Sequence, residues 1–231
     1  MIEWPKLVKG TLVKRYKRFK ADVKLGNGRV VTALCPNTGS MKSCCEPGRP
    51  VYLSKHDRPD RKLKYTWELI EMPTSLVGVN TGIPNKLVKE SIENKLIKDL
   101  TNFEKVRTEV KYGENSRIDI LLENINKKTF IEVKNCTLME NGICYFPDAV
   151  TSRGLKHLVE LQKEVRAGNR AVMFYLIQRM DVIRFEPASH IDPLYSEELK
   201  KAYGNGVEIL AYDVNIDTKG ITINKPVPFK L

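Results

Sequence analysis

Two tripeptides carry most of the chemistry in this sequence: Arg117-Ile118-Asp119 and Glu132-Val133-Lys134. Strand side chains alternate between faces, so Glu132 and Lys134 point one way, as do Arg117 and Asp119. The turn-forming stretch Asn124–Lys128 between them can make the two strands hairpin neighbours. Asp119 and Glu132 then converge as two hard oxygen ligands, suited to Mg²⁺ or Mn²⁺. A lysine beside them can orient or activate a water, or stabilise charge developing on a phosphate. A divalent ion would polarise the phosphoryl oxygen. The pattern Glu-x-Lys occurs four times, starting at Glu93, Glu109, Glu132 and Glu198, so the tripeptide alone is weak. Of these, Glu132 sits in a β-branched strand one hairpin after an Asp-bearing strand. For Glu109 the acidic neighbour would have to come first. A salt-bridged strand pair on a solvated sheet face is the non-catalytic alternative for the same residues.

This Asp-(x)n-Glu-x-Lys arrangement resembles the signature of the PD-(D/E)XK nuclease fold. The resemblance implies catalytic roles for Asp119, Glu132 and Lys134, with the metal on Asp119 and Glu132. It also implies a further acidic group from the helix before the sheet, where Glu90 is well placed. The helix after the sheet can supply polar groups, and Lys156 and His157 lie near its start. His157 is expected to be a surface or supporting residue rather than a general base.

The elements that must position these groups follow from periodicity and turn chemistry. Leu7–Val13, Ala21–Leu25, Arg29–Leu34, Arg49–Ser54 and Tyr65–Ile70 read as short strands, with Gly26-Asn27-Gly28 as a hairpin turn. Five such strands predict a small barrel of the OB type. Thr81-Gly82-Ile83-Pro84 marks a junction, and Pro84 suits the first turn of a helix. Leu87, Val88, Ser91, Ile92 and Leu96 give that helix an apolar face. Strands are predicted at Val106–Lys111, Arg117–Glu123, Thr129–Asn135 and Ile143–Phe146, with turns at Tyr112–Asn115 and Asn124–Lys128. A helix over Ala149–Ala167 turns Leu155, Leu158, Val159 and Val165 inward. Strand Arg170–Gln178, helix Pro193–Tyr203, strand Val207–Ile216 and an edge segment Ile221–Lys225 complete a mixed-sheet α/β domain. The division is 1–81 for the barrel and 82–231 for the α/β domain.

Charge is unevenly shared. The 231 residues hold 39 Lys+Arg and 28 Asp+Glu, a formal net charge of +11. Residues 1–81 carry 16 against 7, a net of +9, and residues 82–231 carry 23 against 21, a net of +2. Within the first part, Lys14, Arg15, Lys17, Arg18 and Lys20 interleave with Tyr16 and Phe19. Cations that neutralise phosphates, beside rings that stack on bases, suit a nucleic-acid surface. The bland alternative makes Tyr16 and Phe19 half-core strand residues with solvated lysines outside. Arg117 and Lys156 are the basic candidates for the same partner near the acidic pair. The longest apolar run, Ala171–Ile177, is far short of the ~20 residues of a membrane span. Met1–Pro5 lacks a basic-then-apolar signal pattern, so a cytoplasmic location with no membrane partner is expected. The five cysteines form no CxxC pair and read as reduced thiols.

Several segments together resemble the sugar fermentation stimulation protein (SfsA) family. They are Arg15–Val23, Cys35-Pro36-Asn37-Thr38-Gly39-Ser40-Met41, Lys64–Leu69, Val79-Asn80-Thr81, Pro84-Asn85, Val110–Asp119, Glu132-Val133-Lys134-Asn135, Phe146–Thr151, Arg153-Gly154, Lys156-His157-Leu158 and Ile191-Asp192-Pro193. The resemblance covers essentially the whole chain. It implies a prokaryotic DNA-binding protein with an N-terminal OB-like domain and a C-terminal nuclease-like domain. Cys44-Cys45 departs from a segment the family usually fills with small or apolar residues. Two readings follow. One is a DNA-binding protein of weak sequence preference with a Mg²⁺- or Mn²⁺-dependent phosphodiester-cleaving site. The other is a non-catalytic DNA-binding regulator of sugar (maltose) metabolism genes on an inherited nuclease scaffold. An enzyme acting on a sugar phosphate is weaker, because no phosphate-cradling glycine loop is present. No organic cofactor is expected, and a homodimer is left open.

Overall fold

The computed structural model describes residues 1–113, 116–125 and 127–231. Glu114 and Asn115 of the first turn expected before Asp119, and Asn126 of the second, lie outside the described residues. The chain opens with strand β1 (Ile2–Glu3), then runs through β2 (Leu7–Tyr16), β3 (Lys20–Leu25), β4 (Val30–Leu34), β5 (Pro50–Lys55), β6 (Tyr65–Glu71) and β7 (Leu76–Gly78). Helix α1 (Ile83–Glu93) leads to β8 (Lys105–Tyr112), β9 (Ser116–Glu123), β10 (Lys128–Cys136), β11 (Leu138–Glu140) and β12 (Ile143–Phe146). Helix α2 (Ser152–Arg166), β13 (Arg170–Ile177), β14 (Arg184–Pro187), α3 (Pro193–Gly204), β15 (Glu208–Ile216) and β16 (Gly220–Pro226) follow.

Strands β2 to β6 form the expected barrel. Order β4-β3-β2-β5-β6 closes on itself through the parallel pairing of Ala33 with Tyr65 and Leu34 with Thr66. Alternation explains it: Val51 and Leu53 on β5, and Ala21 and Val23 on β3, point inward with Trp67 and Leu12. The turn between β2 and β3 has no Gly, Pro or Asn. Lys17 (φ 50°) and Arg18 (φ 62°) take up the left-handed backbone instead, a conformation uncommon for residues with a Cβ.

The second sheet has the order β1-β16-β15-β13-β10-β9-β8 and mixes directions. β10, β13 and β15 run parallel, while β9, β8 and β16 are antiparallel to their neighbours. Central strand β13 is apolar after Arg170 because both its faces are covered. Met173, Tyr175 and Ile177 pack with Leu158 and Leu161 of α2. Val172, Phe174 and Leu176 pack with Leu87, Val88 and Ile92 of α1. Ile2 pairs with Ile221, so β1 joins this larger sheet although the barrel follows it in the chain.

Some expectations shift. Helix α2 starts at Ser152 rather than Ala149, because Thr151 caps it by accepting the Gly154 N–H at 3.0 Å. Val159, expected inward, is exposed, since the buried stripe runs through Gly154, Leu158 and Leu161. Leu96 lies beyond the end of α1 and is exposed. Among the described residues no helix is long and apolar enough to cross a membrane. The five cysteines are free thiols, and burial pushes that of Cys44 up to about 12.

Candidate functional site

Strands β9 and β10 pair up to Ile120 opposite Ile131 and then part. The Asp119 side chain takes the next rung of the ladder. Its Oδ2 accepts the Val133 N–H at 2.8 Å, and its Oδ1 accepts from Asn85 Nδ2 on α1 at 2.7 Å. This fixes the Asp119 carboxylate against the backbone of the residue next to Glu132. Glu132 projects from β10 toward α2 and is 2% exposed, so it does not sit on a solvated sheet face. Its Oε1 takes Lys134 Nζ at 2.7 Å and His157 Nδ1 in a very short contact. Its Oε2 is buried with no hydrogen-bond partner. Leaving a carboxylate oxygen so costs about 1–3 kcal/mol. A buried charge kept at such a cost marks a candidate functional site.

His157 is buried, so of the two placements expected for it, surface or supporting, the surface one does not hold. It stands on the same α2 stripe as Gly154, Leu158 and Leu161, a spacing that could have revealed it. Arg153 Nε donates to His157 Nε2 at 3.4 Å. Nδ1, on the other side of the ring, faces both Glu132 Oε1 and Lys134 Nζ, the latter at 3.1 Å. Asn85 is a residue that sequence reasoning missed. It meets Asp119 from the first turn of α1, whereas Glu90 on the same helix is paired with Lys86 at 3.9 Å.

The two carboxyls are pushed in opposite directions. Burial, and then the Glu132 charge, raise Asp119 from 3.8 to about 6, although Val133 N–H, Lys134 and Asn85 oppose them. Burial also pushes Glu132 up, but the His157 hydrogen bond and the Lys134 charge outweigh it and hold Glu132 below its ordinary range. For Asp119 the folded pKa lies above the unfolded one. The Asp119 contribution to stability is therefore fully present below about pH 4 and is lost as pH rises through about 6. Asp119→Asn is expected to remove that fall. The variant should be more stable than the parent at about pH 8, by about 1–3 kcal/mol, with no gain at about pH 4. Urea melts at the two pH values, without divalent cations, check it.

The basic segment divides into two groups. Arg15 is committed to the fold: its Nη2 donates to the carbonyls of Asn37 (2.9 Å) and Gly39 (2.8 Å), and its Nε to Arg18 O (3.0 Å). Arg15→Met is expected to cost about 1–3 kcal/mol of stability by orphaning those carbonyls, with an unchanged salt dependence of nucleic-acid binding. Thermal melts and binding isotherms at several salt concentrations check both halves. Lys14, Lys17 and Arg18 are solvent-exposed, Lys20 is partly so, and Phe19 is 43% exposed at the hairpin tip. Tyr16 is half-buried and donates to Asp22 at 3.1 Å. Arg117 is exposed on β9, with Nη1 at 3.5 Å from Glu109 O, and Lys156 is exposed on α2.

The barrel and the site meet at one cleft. The Pro36–Ser40 loop, braced by Arg15, faces Lys134 and Asn135 across a space of about 440 Å³. Asp148 holds the loop from the other side, accepting from Ser40 Oγ (3.2 Å) and Met41 N–H (3.3 Å). A Cβ at Gly39 would strike that carboxylate.

Comparison with known proteins bears on both halves of this arrangement. The family model described as the sugar fermentation stimulation protein RE domain matches residues 82–220, and the SfsA N-terminal OB domain matches residues 13–79. The chain belongs to the SfsA family. A sugar fermentation stimulation protein homolog of Geotalea uraniireducens is 53% identical over 217 residues, spanning 94% of each chain. One from Marinomonas sp. is 51% identical over 225 residues, spanning 96% of this chain and 87% of its own. A solved structure, that of Pyrococcus furiosus SfsA in complex with Ca²⁺, superposes with a TM-score of 0.90 at 28% identity and covers all of both chains. The SfsA architecture is thus an OB barrel followed by a nuclease-like α/β domain, and Asp119, Glu132 and Lys134 lie on adjacent strands of the latter.

Proposed function

We propose that this SfsA chain binds DNA through its basic barrel and cleaves a phosphodiester at a divalent-cation site on β9 and β10. The observation that carries this is the buried, unpartnered Oε2 of Glu132 beside an Asp119 carboxylate that two donors hold in place. Two carboxylates, one of them with an orphaned buried oxygen, fit a divalent cation. The complex of the Pyrococcus furiosus relative with Ca²⁺ supports the same class of ion. Asp119 and Glu132 would hold it, with Mg²⁺ or Mn²⁺ the ions for turnover. When bound, such an ion supplies polarisation of the phosphoryl oxygen. Lys134 keeps a positive charge beside the reacting phosphate, where negative charge develops in the transition state. His157, with Nδ1 against Oε1, helps to keep Glu132 ionised and oriented. The cations of Lys14–Lys20 neutralise backbone phosphates, which gives grip without base readout.

Mn²⁺ titration into metal-free protein, read by calorimetry, tests the site. Uptake by the parent and none by Glu132→Gln is the expected result. Equal uptake by both would remove it.

One observation favours the second reading, a DNA-binding regulator without catalysis. Among the described residues no group of three or more His, Cys, Asp and Glu converges on one point, and Glu132 Oε1 is already shared by Lys134 and His157. Mg²⁺ needs no closed protein cage, since it keeps several waters and is completed by substrate phosphates. The first reading is therefore retained.

A further inference from the structure

The cleft between the barrel loop and β10 is more than a gap between domains. Its polar walls are built, and their free atoms can be read from the bonds already made. Asn37 Oδ1 accepts the Gly39 N–H at 2.9 Å, which leaves its Nδ2 for the cleft. Asn135 Oδ1 accepts from Gln178 Nε2 at 2.8 Å, and that same nitrogen donates to Asn80 O at 3.3 Å, which fixes the orientation of both amides. Asn135 therefore also presents Nδ2. Asp148 spends Oδ2 on the loop and keeps Oδ1 as an acceptor. Arg153 spends Nε on His157 and keeps its two Nη groups. Tyr145 is half-buried on the same wall and is steadied edge to face by His190, with ring centroids 5.1 Å apart at 86°.

A cleft that offers oriented amide donors, a carboxylate acceptor, a guanidinium and an aromatic ring has the parts that recognise one nucleotide. The amides and the carboxylate suit a base edge. The guanidinium suits a phosphate, and the ring suits a base face. Its size of about 440 Å³ is that of a small-ligand pocket, roughly 300–1,000 Å³. A duplex, whose major groove alone is about 12 Å wide, cannot enter it. A base reaches such a pocket only unpaired or swung out of the stack. Lys134 lines this cleft and also bonds Glu132, so an occupant lies next to the phosphodiester at the site.

We propose that this cleft holds one unpaired nucleotide beside the scissile phosphodiester, so that strands with unpaired nucleotides are preferred over perfect duplex. The inference rests on the nucleic-acid reading above and adds the structure that the substrate must have.

The test is binding in EDTA, which separates it from cleavage. The probes are a fluorescein-labelled blunt duplex and the same duplex with one central unpaired nucleotide, in deoxy and ribo versions. The bulged duplex is expected to bind about 10-fold more tightly than the blunt one, the scale of one base–aromatic stack. A preference with either sugar satisfies the inference. The ratio is read within each variant, so a general loss of affinity cancels. Asn135→Ala and Tyr145→Ala should bring it toward unity, while Tyr145→Phe should keep it. A ratio of unity in the parent, or a ratio that survives Tyr145→Ala and Asn135→Ala together, would overturn the pocket. Steep salt-dependent binding without a bulge preference overturns the pocket alone. No binding to any probe overturns both the pocket and the nucleic-acid reading.

Discussion

Glu132→Gln is expected to reduce divalent-dependent strand cleavage on the order of 10³-fold, with nucleic-acid affinity nearly unchanged. The choice of glutamine matters. Alanine would leave the half-buried Lys134 and the buried His157 beside an empty space without their shared acceptor, and breaking a buried pair costs up to about 3–5 kcal/mol. Lost activity could then reflect lost folding. Glutamine keeps the shape, and its carbonyl can still accept from Lys134 and lie against His157 Nδ1. What changes is the charge, and the group standing where Oε2 is now orphaned. An amide placed there is a buried donor without a partner, which costs about 1–3 kcal/mol, so thermal melts of both proteins belong beside the cleavage assay. Lys134→Met should lose cleavage similarly while cation uptake persists, because Lys134 is not a ligand. If Glu132→Gln cleaved like the parent, the acidic pair would be a structural device.

The second large effect concerns the β2–β3 hairpin. Replacing Lys14, Lys17, Arg18 and Lys20 together with alanine is expected to flatten the salt dependence of binding. Each phosphate neutralised contributes about −0.9 to the slope of log affinity against log salt, so four lost contacts remove about 3.6 from it. The parent should therefore lose affinity steeply between about 50 and 200 mM salt, and the variant much less. The positions justify the magnitude. Lys14 is spaced 4.0 Å from Asp22 and 5.5 Å from the Tyr16 ring centroid, but its side chain is 64% exposed, so its charge still reaches solvent. Lys17 and Arg18 are displayed on a turn whose left-handed backbone is unusual for such residues. That placement costs stability and gains exposure at the tip, next to Phe19. Arg15 is excluded from the set because its guanidinium already serves three carbonyls. Fluorescence anisotropy of a labelled duplex over a salt series gives both slopes. Equal slopes would move the interface elsewhere.

Local sequence made some of this legible and hid the rest for physical reasons. The β9–β10 hairpin was readable because β-branched alternation flanks a run of turn formers, whereas the bond of Asp119 to the Val133 N–H, beyond the last β9–β10 pair, was not. The barrel strands were readable for the same reason, helped by Gly26-Asn27-Gly28. The turn at Lys17 and Arg18 carried no turn residue and could not be seen. Strand β1 is two residues long and takes its partner from the far end of the chain, at Ile221, so no local pattern announces it. Asn85 acquires its role from a contact 34 residues away, which spacing does not encode. His157 is different. Its position on the buried stripe of α2 was available and decides between the surface and supporting placements expected for it. The cleft is a property of two domains meeting, and it depends on which atoms of Asn37, Asn135 and Asp148 are already spent.

The most direct measurement is a cleavage panel of labelled single-stranded, duplex, nicked and branched DNA, and RNA, with Mg²⁺ and with Mn²⁺, run side by side for the parent and Glu132→Gln. The expected result is cleavage of at least one substrate by the parent that requires the cation, stops with EDTA and is lost in Glu132→Gln. No cation-dependent cleavage of any substrate, or equal cleavage by both proteins, would contradict a metal-dependent nuclease at Asp119 and Glu132.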